Sequence, residues 1–461
     1  MHGAGEGGVE KSIATLCTYL NKERFEPLVA MPEDGPLKAN LEGIGIKTII
    51  TPLEWWTPIW FFYGERHYYR FLAGLKQRVD NLVKIINENE INVIHSSTLP
   101  VVDGAIAAKI SGIPHIWHLH GRFNGSASSS FGTYLPIEII YRIVDQFSWQ
   151  IVAVSQILKD FLSSYVTPSK IKLIYNGIDI DKFNGKRSLS KSLIEEFPTL
   201  KNKVLVGLVG RISRVKGIED YVEAAISVLR IREDVGFLVV GTEEDKALGQ
   251  KVRKRVDSLH LADKIIFTGY RKDIPSLLQE IDLVVCSSLK EGFPYSCLEA
   301  MAASRALVAT RCGGPDELII SGETGYLTDV GNPDELARAI LKIVENPETM
   351  HLMGEKGRQR IEQFFEARIY AQNFEKLYED AVKEKSLYVA DSSVWEEVVL
   401  ELLSSHGNIG KRVIECERQI KNLRTFEQLF KDNVFYKTLR RFYRSLKNVS
   451  KDKTTCQHIK P

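Results

Sequence analysis

The alternation of short β-rich apolar runs with longer amphipathic stretches constrains this chain more than any single motif. "EPLVAM", "KTIITPL", "INVIHSS", "HIWHLHG", "QIVAVS" and "IKLIYNG" punctuate its first part. "KVLVGLVGR", "GFLVVG", "KIIFTGY", "DLVVCSS", "ALVATRCGG" and "TGYLTDV" punctuate its second. Between several of them lie helical patterns, such as Phe71 to Asn87 and Pro136 to Phe147. Strands separated by helices pair through crossovers, which gives parallel sheets covered on both faces. A polar interval from about Asp181 to Lys203 breaks the rhythm before it restarts. The pattern predicts an α/β protein of two doubly wound, Rossmann-like domains, residues 1–185 and 200–360. Ligands of such sheets sit beyond the strands' carboxyl ends, so two facing domains enclose a deep cleft. Residues 361–385 read as a helix crossing back to the first domain, and 386–461 as a helical C-terminal extension.

Composition narrows the class. A net charge of +2 over 461 residues gives no global pull toward nucleic acid. The six cysteines (17, 286, 297, 312, 416, 456) are scattered without metal-ligand spacing, as fits free thiols in a reducing compartment. No apolar run approaches the ~18 residues of a membrane span, and no basic segment followed by an apolar run opens the chain. The expectation is a cytoplasmic protein.

The chain opens "MHGAGEGGVEKS", where Gly3, Gly5 and Gly8 spell G-x-G-x-x-G. That fingerprint has meaning only between a strand and a helix. A helix follows, with Val9, Ile13, Leu16 and Leu20 at helical spacing, but only Met1 and His2 precede Gly3. The first strand of this domain is therefore expected upstream of Met1, with about 5–6 residues.

The second half carries more chemistry. "VGLVGRISRVKGIEDYVEAA" places Arg211 and Lys216 at a strand-to-helix turn, and two cations beside a helix N-terminus suit a diphosphate. Two surface bases near a turn are the plain alternative, and the Walker pattern is absent. In "SSLKEGFPYSCLEAMAASRALVAT", Glu291 lies in a loop and Glu299 on the helix that begins near Pro294. The amides around Phe293 to Ser296 lack intrahelical acceptors and suit phosphate or sugar oxygens. "CGGPDEL" brings another helix N-terminus, with Pro315 in its first turn, toward the same cleft. The one D-x-D string, Asp179 to Asp181, reads as a turn and helix cap rather than a metal site. His118 and His120 share a strand face, and His120 stands at the strand's carboxyl end. "LEWWTPIWFFYGERHYYRF" either lines an acceptor groove or packs onto its own domain.

Together "GRISRVKG", "EGFPYSCLEAMA", "CGGPDEL" and "TGYL" resemble the C-terminal domain of the family 4 retaining glycosyltransferases. "GEGGVEKS", "HLHG" and "IYNGID" resemble that family's N-terminal segments, over roughly residues 3 to 380. The resemblance implies the GT-B fold and a metal-independent transfer of sugar from a nucleotide-diphosphate donor, UDP- or GDP-linked, to a glycan or lipid-linked acceptor. No cofactor is implied. Carried over by position, Arg211 and Lys216 neutralise the leaving diphosphate, Glu291 holds the donor sugar and Glu299 the ribose. Gly7 and Gly8 let the backbone approach the diphosphate. Phe293, Pro294, Tyr295 and Ser296 line the sugar–phosphate path, Tyr270 and Arg271 flank the base, and His120 meets the donor sugar or acceptor. The alternatives are an NAD-dependent sugar-nucleotide oxidoreductase, whose Tyr-x-x-x-Lys pair fails because Ser169 follows Tyr165, and a non-catalytic sugar-nucleotide-binding scaffold.

From Lys431 to Lys453 eight basic and two acidic residues accompany Phe435, Leu439, Phe442 and Leu446 at helical spacing. A basic amphipathic helix suits an anionic membrane surface, each nearby base contributing up to about 1 kcal/mol. Packing onto the first domain or a second subunit is the plain alternative. Full-length protein is expected to co-sediment with anionic vesicles in a salt-sensitive manner. A chain ending near Asn408 is expected to stay in the supernatant; equal sedimentation of both assigns the tail to packing or assembly.

Overall fold

The computed structural model describes residues 1–56, 60–123, 137–185, 192–385 and 390. The extension expected over 386–461 lies, but for residue 390, outside the described residues. All twelve apolar runs form strands, and every strand pairing is parallel. In the first half these are β1 (Leu28–Met31), β2 (Lys47–Ile50), β3 (Ile94–Ser97), β4 (His115–Leu119), β5 (Gln150–Ala153) and β6 (Ile171–Leu173). The second half holds β7 (Val204–Val209), β8 (Val235–Val240), β9 (Ile265–Gly269), β10 (Leu283–Cys286), β11 (Ala306–Thr310) and β12 (Gly325–Thr328).

The second half is one six-stranded sheet, ordered β12-β11-β10-β7-β8-β9. Its four inner strands are buried almost end to end, as Val235 to Val240 illustrates, because helices cover both faces. The first half differs from a single sheet. It consists of a β1-β2 pair and a separate four-stranded β3-β4-β5-β6 sheet. The ammonium of Met1 donates to the carbonyl of Ala30 at 2.8 Å, so the opening residues run beside β1.

The chain returns to the first half after the second is complete. Ile178 exchanges backbone hydrogen bonds with Phe365 and Ala367, both 2.9 Å, where two crossings lie side by side. The helix Ala367–Lys383 then packs on the first domain, with Tyr370 and Phe374 buried beside Leu16, Ile116 and Val152. Gly177 permits this approach, since a Cβ there would stand 2.4 Å from that of Tyr370. Trp56 is buried and donates to the Leu99 carbonyl at 2.7 Å, so this part of the aromatic segment packs onto its own domain. Cys17, Cys286, Cys297 and Cys312 are free and buried.

Histidines face the helix Ala367–Lys383 from β3 and β4. His118 is fully buried without a partner at either ring nitrogen, 5.1 Å from the Phe374 ring. His115, on the opposite face, is also buried and bonds Ser96 at 2.8 Å. Burial lowers the imidazolium pKa of His115 to about 3 and pushes that of His118 well below its usual value. Both fold as neutral rings, whereas an unfolded histidine takes a proton near pH 6.5. Stability is therefore fully present above pH 6.5 and is lost as pH falls toward 3, approaching about 1.4 kcal/mol per pH unit for each histidine. Asp103, raised by burial to about 6, acts oppositely as a single group. Urea unfolding between pH 7.5 and 5 is expected to show stability falling with acid. A flat profile would contradict this account.

Candidate active site between the two halves

Backbone contact closes the cleft. A Cβ on Gly292 would stand 1.9 Å from the His120 carbonyl oxygen, so only glycine lets the loop after β10 meet the end of β4 this closely. Asn176 donates to the Phe293 carbonyl at 3.1 Å, and the Tyr295 hydroxyl to that of Gly177 at 3.3 Å. Glu317 accepts from the amides of Gln156 and Ile157 at 2.8 and 3.0 Å, taking unsatisfied donors of the first domain's helix Gln156–Leu162.

Lys216 ends the single 3-10 turn Arg214–Lys216 that follows β7. Gly217, at φ +60°, then passes so close that a Cβ would lie 1.9 Å from the Ser287 carbonyl. This brings the loops after β7 and β10 together. Lys216 Nζ meets Glu291 Oε1 at 2.6 Å, and Ser288 donates to the same oxygen at 2.7 Å. Burial opposes the ammonium charge, but the Glu291 carboxylate outweighs it and holds the Lys216 pKa above the usual value. Arg211 is exposed and pairs with Glu244 at 2.7 Å, though its charge reaches Lys216. The two predicted diphosphate cations thus occupy one mouth with different burial.

Phe293 and Tyr295 are buried, and the helix Tyr295–Ala302 starts at Pro294 with Ser296 half-buried in its first turn. The Phe293 ring lies 5.0 Å from Tyr175 and 5.3 Å from Phe365. Glu299, one turn on, is buried and pairs across the cleft with Lys11. Gly7 caps the helix Gly8–Tyr19, and both glycines are exposed toward this face. A Cβ on Gly8 would stand 3.5 Å from the Tyr295 ring.

His120 bonds Ser97 through Nε2 at 3.1 Å and lies 4.1 Å, ring to ring, from His118. Burial and the neighbouring His95 lower its pKa to about 3, so it serves as a neutral ring. Tyr270 is exposed and bonds Glu6 of the glycine loop. Arg271 departs from expectation. Its guanidinium is held by Asp273 at 2.9 and 2.7 Å and by Glu196 at 2.6 Å, so its hydrogen-bonding face is turned to carboxylates of its own domain rather than to a base.

Asp179 caps the turn Ile180–Phe183, accepting from the Asp181 amide at 3.1 Å. Among the described residues, no three His, Cys, Asp or Glu side chains gather as a metal site. Lys11, Glu6, Asn176 and Glu317 were not singled out from sequence, although each lies within or beside a quoted motif. Their roles depend on which loops face each other, which one-dimensional spacing does not carry.

Residues 191–360 match the family described as Glycosyl transferases group 1, and residues 6–182 match Glycosyltransferase Family 4. An N-acetyl-alpha-D-glucosaminyl L-malate synthase of Bacillus anthracis is 28% identical over 51% of this chain and 60% of its own length. The chain thus spans about three fifths of that relative. A UDP-Gal:alpha-D-GlcNAc-diphosphoundecaprenol alpha-1,3-galactosyltransferase of Escherichia coli is 24% identical over 66% of this chain and 79% of its own. The structure of Anabaena Alr3699/HepE in complex with UDP superposes with a TM-score of 0.68 at 24% identity, covering 82% of this chain and 98% of that one. That likeness shows the GT-B arrangement of two Rossmann-like domains. With both halves matched in order across most of its length, this chain belongs to the family 4, group 1 glycosyltransferases.

Proposed function

We propose that the chain is a retaining glycosyltransferase that moves a sugar from a nucleoside-diphosphate donor to a glycan or lipid-linked acceptor in polysaccharide assembly. The observation that carries this is the half-buried Lys216–Glu291 pair, set between the glycine loop, the helix start at Tyr295 and His120. The relatives support it. The Escherichia coli protein is named for UDP-galactose and a diphosphoundecaprenol acceptor, the Bacillus protein for an L-malate product, and the Anabaena structure for bound UDP. Family membership leaves the oxidoreductase alternative without support, and retention of Lys216, Glu291 and Glu299 argues against a mere scaffold.

In this proposal the bond between the sugar's anomeric carbon and the phosphate oxygen breaks, and its electron pair leaves with the diphosphate. Positive charge grows on the sugar ring while negative charge grows on the phosphate. Lys216, half-buried, meets that negative charge where water screens less, and Arg211 meets it from the exposed side. Free amides at the start of the helix Tyr295–Ala302 add donors in fixed positions. Glu291 turns from Lys216 to the sugar hydroxyls, and Glu299 from Lys11 to the ribose. The acceptor hydroxyl enters on the face the phosphate leaves, bonding the anomeric carbon while its proton passes to the departing phosphate oxygen, so configuration is retained. No divalent metal takes part, and the protein works in the cytoplasm with its tail at the membrane surface. No helix among the described residues is long and apolar enough to cross a membrane.

Lys216→Ala and Arg211→Ala are each expected to lower kcat on the order of 10²–10³-fold, as when one preorganised charge stabiliser is lost. Near-normal kcat at saturating donor in both variants would overturn the assignment. Glu299→Ala is expected to weaken binding of the free nucleoside diphosphate, read by calorimetry. Transfer is expected to continue in excess EDTA, with product of the donor's anomeric configuration by NMR. Activity abolished by chelation and restored by Mg²⁺ would remove the metal-independent step.

A further inference from the structure

We propose that Arg122 and Lys290 form an anion site on the acceptor side of the cleft, holding a phosphate or diphosphate ester carried by the acceptor. The inference rests on the transfer reading above and names the class of acceptor that reading leaves open.

Arg122 stands two residues beyond His120, where the chain leaves β4. Lys290 immediately precedes Glu291 in the loop after β10. Lys290 Nζ donates to the Arg122 carbonyl at 2.8 Å, so a cation of the second half lies against the first half's own cationic residue. Beside them Gly292 passes under the His120 carbonyl, which keeps both bases next to the reacting groups.

The pair differs from the other cations of the cleft. Lys216 has Glu291, Arg211 has Glu244, Lys11 has Glu299, and Arg271 has Asp273 and Glu196. Among the described residues neither Arg122 nor Lys290 has a carboxylate within ion-pair distance. Both are half-buried. Burial, and then the charge of Arg122, push the Lys290 ammonium below the usual lysine range. Two partly desolvated like charges are unfavourable until an anion joins them. One of the three ammonium N–H groups is used on the Arg122 carbonyl, which leaves donors for a ligand. The Arg122 charge reaches the Lys290 ammonium, and a guanidinium with an ammonium matches the spread oxygens of a phosphate.

The position selects the source of that anion. Lys216 reaches Glu291 from within the second domain, where the donor diphosphate is assigned. Lys290 leaves the same loop toward the first domain, the acceptor's side. A phosphate here lies on the acceptor, either a lipid-borne diphosphate or a soluble sugar phosphate.

The test uses the full chain saturated with UDP, so that the donor cations are occupied. Glucose 1-phosphate, N-acetylglucosamine diphosphate on a farnesyl tail, and neutral methyl glucoside are titrated by calorimetry. At least one phosphate probe is expected to bind, and methyl glucoside is not. Arg122→Gln and Lys290→Gln are each expected to weaken the phosphate probe by about tenfold or more, the loss typical of a hydrogen bond to a charged group. Arg122→Lys is expected to recover part of the affinity. UDP binding in each variant reports an intact fold. Binding of the farnesyl probe alone assigns a lipid carrier, and equal binding of glucose 1-phosphate assigns a soluble acceptor. Wild-type protein that binds neither phosphate, or variants that bind it as tightly, overturn the site. If UDP does not bind the wild type, GDP takes its place in every arm; failure of both overturns the nucleotide-sugar reading instead, and the phosphate comparison without nucleotide still decides this one.

Discussion

The closed cleft depends on the absence of one methyl group. Gly292 sets its backbone beneath the His120 carbonyl, and a side chain there would force the two halves apart. Gly313, at φ +124°, and Gly314 support the same loop, since Cβ atoms on them would stand 2.4 Å from the carbonyls of Glu291 and Gly292. Three glycines therefore place Glu291 against both the helix Gly314–Leu318 and the end of β4. Polar ties then fix the closure: Glu317 holds a helix start of the first domain, and Asn176 holds the Phe293 carbonyl. Glu291 takes its position from this contact.

Within that closure the chain supplies its own counter-ions. Glu291 neutralises Lys216, and Lys11 neutralises Glu299 from across the cleft. These are the charges a nucleotide sugar would engage, so ligand exchanges partners rather than creating a charge. The balance matters because an unpaired buried charge is costly, while breaking a half-exposed pair in favour of a phosphate is not. Lys11 is the more exposed member of its pair, and its side chain can swing into water without a desolvation penalty. Lys216 is less exposed than Lys11, where the loops after β7 and β10 meet.

The fold was legible because its signal is local. Each parallel strand is a short apolar run such as "GFLVVG", bounded by turn residues and followed by an amphipathic helix. Position along the chain also marked the strand-end groups, since Lys216, Glu291 and His120 all stand just past a strand's carboxyl end. What remained hidden was set by partners distant in sequence. Arg271 looked like a base contact until Asp273 and Glu196 claimed its nitrogens, and Glu196 lies in the polar interval that carried no motif. The division of the first sheet into β1-β2 and β3 to β6 was likewise invisible in a sequence whose strands all looked alike.

The contrast between Arg211 and Lys216 follows from the same geometry. Both follow β7, yet the glycine after Lys216 brings the backbone against Ser287, whose hydroxyl donates to the Lys216 carbonyl at 3.0 Å, while Arg211 stays at the rim with Glu244. A half-buried cation acts more strongly at short range because less water intervenes, whereas a rim cation is more screened. In the proposed transfer both cations face the departing diphosphate, Lys216 from the half-buried position and Arg211 from the rim. A guanidinium at the rim offers a fork that can hold two phosphate oxygens. An ammonium in the less exposed position is a compact charge that can follow the growing negative charge on one oxygen.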